Sequence, residues 1–272
     1  DGTTQRGGVD VNQHQAPDDF STRGSDWEDL MEVEVTTGTL VVELADNAEG
    51  FVIADALRVQ LEGAPSLDLA SLNGVNGFRI DGANAGDRAF AASGAGDVNG
   101  DGFDDVIIGA YGADPNGQFS GASYVVFGHS GPFPATVNLS CLDGTNGFRL
   151  DGVEGDASGL AVSRAGDVNG DGVDDLVIGA LGNPNRIKGK TYVVFGRTAG
   201  FEAALDLGTL DGTNGFELHG PVDGEYAGVP LSGAGDINGD GFDDLLLGVS
   251  ASCANFGGRI EVDVVVGREG TF

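Results

Sequence analysis

Apolar residues along this chain come in short runs bounded by glycine: VIIGA at 106–110, LVIGA at 176–180 and LLLGV at 245–249. Runs of this length, rich in branched side chains, predict buried strands rather than helices. A second set follows them, ASYVVFG (122–128), KTYVVFG (190–196) and IEVDVVVG (260–267), and a third precedes them, LNGVNGFRIDG (72–82), LDGTNGFRLDG (142–152) and LDGTNGFELHG (210–220). The whole pattern therefore recurs three times with a unit of about 70 residues, roughly 66–137, 138–205 and 206–272. Nothing in the repeats sustains a 3.6-residue apolar period with caps. A four-stranded unit, repeated and punctuated by glycine, predicts the blades of a β-propeller; the coils of a parallel β-helix are much shorter.

Residues 9–62 lack the repeat. MEVEVTTGTLVVELADN (31–47) alternates apolar and polar residues on both sides of TTG, which predicts a hairpin with one buried face. FVIADALRVQL (51–61) reads as a further strand, and EGAPS (62–66) as the connection to the repeats. Residues 1–8 read as a disordered terminus. The predicted fold class is all-β: a partial β-propeller of three four-stranded blades, preceded by a small β-sandwich-like segment.

Composition sharpens this picture. The 272 residues suffice to bury a substantial core, and 49 glycines without a Gly-X-Y period suit tight turns rather than collagen. Acids outnumber bases 43 to 13, for a formal charge of −30, and the lysines are Lys188 and Lys190. Such a surface repels phosphates, so nucleic acid and anionic membranes are not expected partners. No apolar run reaches the length of a membrane-spanning helix, so no membrane insertion is expected. The chain opens DGTTQRGG without an apolar leader, so a leader has been removed or the sequence is part of a longer protein. Cys141 and Cys253 occur in one repeat each and are expected to be free.

The acids are not spread evenly. DVNGDGFDD (97–105), DVNGDGVDD (167–175) and DINGDGFDD (236–244) stand at the same place in each repeat. Carboxylates this close repel one another unless a cation lies among them. Calcium takes six to eight oxygens, drawn from alternate positions of a short loop. The predicted ligands are Asp97, Asn99, Asp101, the carbonyl of Phe103 and Asp105 in the first loop. The second offers Asp167, Asn169, Asp171, the carbonyl of Val173 and Asp175, and the third Asp236, Asn238, Asp240, the carbonyl of Phe242 and Asp244. Glycines at positions four and six let the backbone curl so that these oxygens converge. With no His or Cys in any loop, zinc and the transition metals do not fit. An EF-hand is excluded as well: its twelfth-position Glu is replaced by Ile108, Ile178 and Leu247, each inside a predicted strand. The eighth-position acids, Asp104, Asp174 and Asp243, are expected to point outward.

AGDVNGDGFDDVIIGA (95–110) and its two copies resemble the FG-GAP repeat of integrin α-chain propellers and their bacterial relatives. The resemblance implies that each loop joins the first and second strands of a blade, opposite the main ligand-binding side, and that calcium stiffens the blade. The name-giving Phe-Gly is replaced here by AFAAS, SGLAVS and YAGVPLS, and GAP by GAY, GAL and GVS. TLVVELADNAEGFVIADALRV (39–59) resembles the end of the golvesin C-terminal-like module of secreted bacterial proteins.

In that register GFRIDG (77–82) is the outer strand of a blade preceding the first loop, and the third blade lacks its own outer strand. Three blades do not close a ring. The chain is then a fragment of a larger ring, an open arc, or one half of a head-to-tail homo-oligomer that completes the propeller. His14, His129 and His219 sit in unrelated contexts, and no G-x-S-x-G, HExxH or P-loop occurs, so the chain is not read as an enzyme. The leading expectation is an extracellular or cell-surface adhesion or recognition module with three Ca2+ sites and a protein or carbohydrate ligand. Tyr111, Phe119 and Phe133 are the candidate contact residues. The alternatives are a structural subunit of a larger surface protein and an accessory propeller of a secreted hydrolase or lyase.

Overall fold

The computed structural model describes residues 20–22, 25–27, 67–182, 189–220, 225–251 and 260–269. The chain divides into two units, Asp1–Pro65 and Ser66–Phe272. In the first, β1 (Phe20–Thr22) pairs antiparallel with β2 (Ser25–Trp27). The hairpin expected at 31–47, the strand at 51–61, the golvesin-like match, the connection at 62–66 and Cys253 lie outside the described residues.

The second unit is built from β-sheets. Its strands are β3 (Arg79–Asp81), β4 (Ala89–Gly96), β5 (Asp105–Ala110), β6 (Ala122–Val126), β7 (Thr136–Asn138), β8 (Gly147–Asp151), β9 (Ser158–Gly166), β10 (Asp175–Ala180), β11 (Lys190–Val194), β12 (Ala204–Asp206), β13 (Gly215–His219), β14 (Glu225–Gly235), β15 (Asp244–Ala251) and β16 (Ile260–Val265). Three single-turn 3-10 segments are the helical elements among the described residues of this unit. Blade one runs β4-β5-β6-β8, with β12 added in parallel beyond β8; blade two runs β9-β10-β11-β13. Blade three shows three strands among the described residues, β14-β15-β16. The described residues are thus all-β, with partial propeller blades and no closed barrel among them.

Each complete blade takes its outermost strand from the start of the following repeat. β6 is paired by GFRLD of β8 and β11 by GFELH of β13, with Val126 opposite Gly147 and Val194 opposite Gly215. The equivalent GFRID segment contributes β3, which pairs in parallel with β7.

Successive side chains of a strand face opposite ways, and here they fill two different inter-sheet layers. Ile107, Val125, Phe148 and Leu150 of blade one meet Val162, Leu176, Ile178 and Tyr192 of blade two in one core. Val177, Val193 and Phe216 of blade two meet Leu245 and Leu247 of blade three in the next. Ile108, Tyr124 and Val126, on the other side of blade one, lie over Leu139 and against Ile80 and Phe133. A central strand buried on both faces is the reason VIIG and LVIG read as continuous apolar runs rather than alternating ones.

Candidate metal centre

The three acidic loops connect first and second strands: 97–104 joins β4 to β5, 167–174 joins β9 to β10, and 236–243 joins β14 to β15. Their glycines take the left-handed backbone, with φ of 70° and 92° at Gly100 and Gly102, 78° and 86° at Gly170 and Gly172, and 78° and 95° at Gly239 and Gly241. A residue with a Cβ is disfavoured there, which accounts for the Gly at positions four and six of each loop.

That curl gathers the odd-numbered side chains around shared backbone donors. Asp97 accepts from the Asp101 N–H at 2.9 Å and, through its other oxygen, from the Gly102 N–H at 2.8 Å. Asn99 Oδ1 accepts from that same Asp101 N–H at 2.9 Å, and Asn99 Nδ2 donates to Asp101 at 3.0 Å. Asp167, Asn169 and Asp171 repeat this arrangement, as do Asp236, Asn238 and Asp240. The seventh residues, Phe103, Val173 and Phe242, donate their N–H to the fifth-position Asp at 2.9–3.0 Å. The N–H groups of Gly241, Gly239 and Asp240 hold Asp236 below the usual carboxylate range, the Gly241 N–H contributing most.

The ninth-position acids lie beneath the loops. Asp105, Asp175 and Asp244 are buried, and each spans two backbone donors. Asp105 accepts from the N–H groups of Val98 and Gly128, Asp175 from Val168 and Gly196, and Asp244 from Ile237 and Gly267, all at 2.8–3.0 Å. They thereby tie the loop to the end of the third strand. None of the three has an Arg, Lys or His ion-pair partner among the described residues. Burial pushes Asp105 up to about 7, against the N–H groups of Gly128 and Val98, while the charges of Asp101 and Asp97 add to the rise. Burial likewise pushes Asp175 up to about 8.

The structure therefore brings positions one, three and five of each loop together and sets position nine under them. Among the described residues, no three His, Cys, Asp or Glu side chains already form a cation cage. The donor set is nonetheless all oxygen, and buried carboxylates without a cationic partner are the setting in which a hard cation is favoured.

A pH dependence follows for the metal-free protein. Asp105 and Asp175 titrate higher in the folded chain than in the unfolded one, where the ordinary value is 3.8. Between those values the native state holds more protons, so stability falls as pH rises from about 4 through about 8. In chelator the melting temperature is expected to be higher near pH 5 than near pH 8 by at least about 5 °C. A flat or rising profile in chelator would show that these carboxyls carry no desolvation cost.

The eighth-position acids correct the sequence reading. Asp174 and Asp243 do not point outward but reach across to the preceding blade. Asp174 Oδ2 accepts from the Asp97 N–H and Asp243 Oδ2 from the Asp167 N–H, both at 2.9 Å. Backbone bonds run alongside, from Asp174 N to Asp97 O at 3.3 Å and from Asp243 N to Asp167 O at 2.9 Å. Arg164 also pairs with Asp174, at 2.7 Å. Only Asp104, in the first loop, is exposed. The recurrence of an acid at this position in all three loops was the available signal.

Sequence reasoning also missed a buried polar group in blade two. The Tyr192 hydroxyl donates to Asp156, and Lys190 Nζ lies 3.2 Å from the same carboxylate. Burial, first, and the bond to Asp156 push the Tyr192 hydroxyl up. Of the aromatic contact candidates, Phe133 stacks on Phe78 with ring centres 4.2 Å apart, and Tyr111 lies under Arg88. Phe119 is exposed. Cys141 is a free, exposed thiol.

Comparison with known proteins agrees with this geometry. Residues 89–126 and 159–194 match the FG-GAP repeat, the first through third strands of blades one and two. The chain is 29% identical to chicken (Gallus gallus) integrin alpha-6 over 174 residues, covering 62% of this chain and 14% of that protein. It is 30% identical to Drosophila melanogaster integrin alpha-PS5 over 152 residues, 56% of this chain and 14% of that protein. It is 29% identical to Cricetulus griseus integrin alpha-3 over 205 residues, 72% of this chain and 18% of that protein. The chain thus spans less than a fifth of the length of these relatives. Its second unit carries FG-GAP repeats and is similar to integrin alpha chains.

Proposed function

We propose that this chain is an extracellular or cell-surface recognition and adhesion module whose FG-GAP blades are held by three calcium ions. One observation carries the reading: three loops share the same oxygen spacing, and each has a buried carboxylate without a cationic partner beneath it. The residues that would hold the ions are Asp97, Asn99, Asp101, Phe103 O and Asp105, Asp167, Asn169, Asp171, Val173 O and Asp175, and Asp236, Asn238, Asp240, Phe242 O and Asp244. A bound ion would supply the positive charge that these carboxylates lack and would cross-link the first strand of a blade to its second. Weak sites of this kind suit an extracellular setting, where calcium is abundant.

The similarity to FG-GAP repeats and integrin alpha chains indicates a non-enzymatic, adhesion-type module. The partner class we assign is a protein or carbohydrate at the cell surface or matrix, with Phe119 as an exposed aromatic contact. A second copy of the chain belongs to the same reading as a further partner.

Isothermal titration of calcium into chelator-stripped protein tests the metal assignment. About three calcium ions per chain are expected, with dissociation constants on the order of 0.1–1 mM and protons released on binding at neutral pH. No saturable heat at millimolar calcium would remove the calcium part of the reading and leave the loops as hydrogen-bonded turns.

A further inference from the structure

The acidic loops of neighbouring blades are bonded to one another, and the bonds start beside the ligand positions. Asp174 stands between Val173 and Asp175, positions seven and nine of the second loop. Through its backbone N–H and its side chain it holds both the C=O and the N–H of Asp97, the first position of the loop before it. Asp243 stands between Phe242 and Asp244 and holds Asp167 in the same way. A second path runs beside this one. Asp175 accepts from the Gly196 N–H at 2.9 Å, and the next residue, Arg197, donates its N–H to Val98 O at 2.9 Å. Asp244 accepts likewise from Gly267, and the neighbouring Arg268 N–H donates to Val168 O at 3.0 Å.

Side chains pack along the same line. A Cβ on Gly170 would fall 2.3 Å from the Phe242 ring, and one on Gly100 would fall 2.5 Å from the Thr198 methyl and 3.9 Å from Val173. Val173 and Phe242 are the seventh residues of their loops, so the residue whose carbonyl is a ligand position also rests on the fourth position of the loop before. Contacts this close leave little room for one loop to shift without its neighbour. Both blade junctions show the same set, and every bond in it joins groups that are far apart in sequence.

We propose that the calcium sites of adjacent blades are coupled, with Asp174 and Asp243 as positioning residues for the site in the loop preceding theirs. The coupling rests on the calcium assignment made above. With Val173 O and Asp175 engaged on an ion, the backbone is fixed on either side of Asp174, and with it the hydrogen bonds that place Asp97. The first loop then has less freedom left to lose when its own oxygens converge, which raises its affinity. Linkage makes the effect reciprocal: an occupied first loop favours the second by the same factor. Asp243 transmits the same effect between the third loop and the second.

Amide hydrogen exchange on peptides spanning each loop, followed through a calcium titration of the whole chain, reads each site by itself. Asp174→Ala removes the acceptor of the Asp97 N–H and is expected to raise the calcium needed for half-protection of 97–105 about fivefold. Asp171→Ala removes a ligand position from the second loop alone and is expected to weaken the first loop by a similar factor. Asp174→Asn keeps an oxygen that can accept from Asp97 and is expected to recover most of the loss. The 236–244 loop takes no part in that junction and is expected to keep its midpoint within about twofold in Asp174→Ala, which separates coupling from general destabilisation. A 97–105 midpoint unmoved by both alanine variants, with every remaining site still protected by calcium, would overturn the coupling and leave the calcium assignment standing. Asp174→Asn as weak as Asp174→Ala would also overturn it, by assigning the effect to lost charge rather than to positioning. No calcium-dependent protection of any loop in the unaltered chain would remove the calcium assignment and the coupling together.

Discussion

Replacing Phe148 by alanine is expected to lower the stability of the second unit by about 3–5 kcal/mol. Phe148 lies on the outermost strand of blade one and is fully buried. Its ring stacks on Phe201 with centres 4.0 Å apart, and Phe127 lies at 5.8 Å. Phe201 follows the third strand of blade two, so the trio clamps the outer parts of two neighbouring blades together. Removing the ring loses its transfer energy and leaves a cavity between sheets that their own ladders hold apart, which limits collapse. Phe148→Leu retains much of the volume and should cost less than half as much. Urea unfolding measures both; a loss below about 1 kcal/mol for Phe148→Ala would mean that the inter-blade core is not where stability resides.

The second large effect is expected at Asp175. Asp175→Ala leaves the buried N–H groups of Val168 and Gly196 without their acceptor. Each orphaned donor costs about 1–3 kcal/mol. Removing the carboxyl works the other way in the metal-free protein, because burial raises it to about 8 and the folded chain must hold it protonated at neutral pH, a cost the unfolded chain does not bear. With calcium present the charge is compensated, and the variant loses both the acceptor and a ligand. The loss is therefore expected to be about 3–5 kcal/mol in calcium and about half that in chelator. Equal losses under the two conditions would make Asp175 a hydrogen-bond anchor and nothing more.

Much of this was legible along the chain because the repeat compares each position with itself three times. The buried runs VIIGA, LVIGA and LLLGV supply the second strands, and the runs ending in VVFG or VVVG the third. The offset by which GFRLD and GFELH complete the preceding blade follows from the register, and GFRID contributes the strand β3 beside β7. The roles of Asp174 and Asp243 were not legible, because the groups they bind lie 76–77 residues away in sequence and belong to another blade. A loop read by itself shows an acid beside a strand; only the neighbouring sheet shows what that acid is for. The same holds for Tyr192 and Asp156, 36 residues apart, which meet only once β9, β10 and β11 are assembled in one sheet. Phe133 looked like a surface aromatic in SGPFP, and its packing against Phe78 depends on β3 lying beside β7.

The question posed by the acidic loops is what compensates their charge, and a thermal melt of the whole chain with and without calcium addresses it most directly. At a calcium concentration a hundredfold above the dissociation constant, each occupied site adds about 2.7 kcal/mol to the native state. With three such loops, the melting temperature is expected to rise by at least about 10 °C between excess chelator and saturating calcium, and magnesium should do much less. A melt that chelator leaves unchanged would contradict the account, and the buried carboxylates would then be stabilised by backbone N–H groups alone.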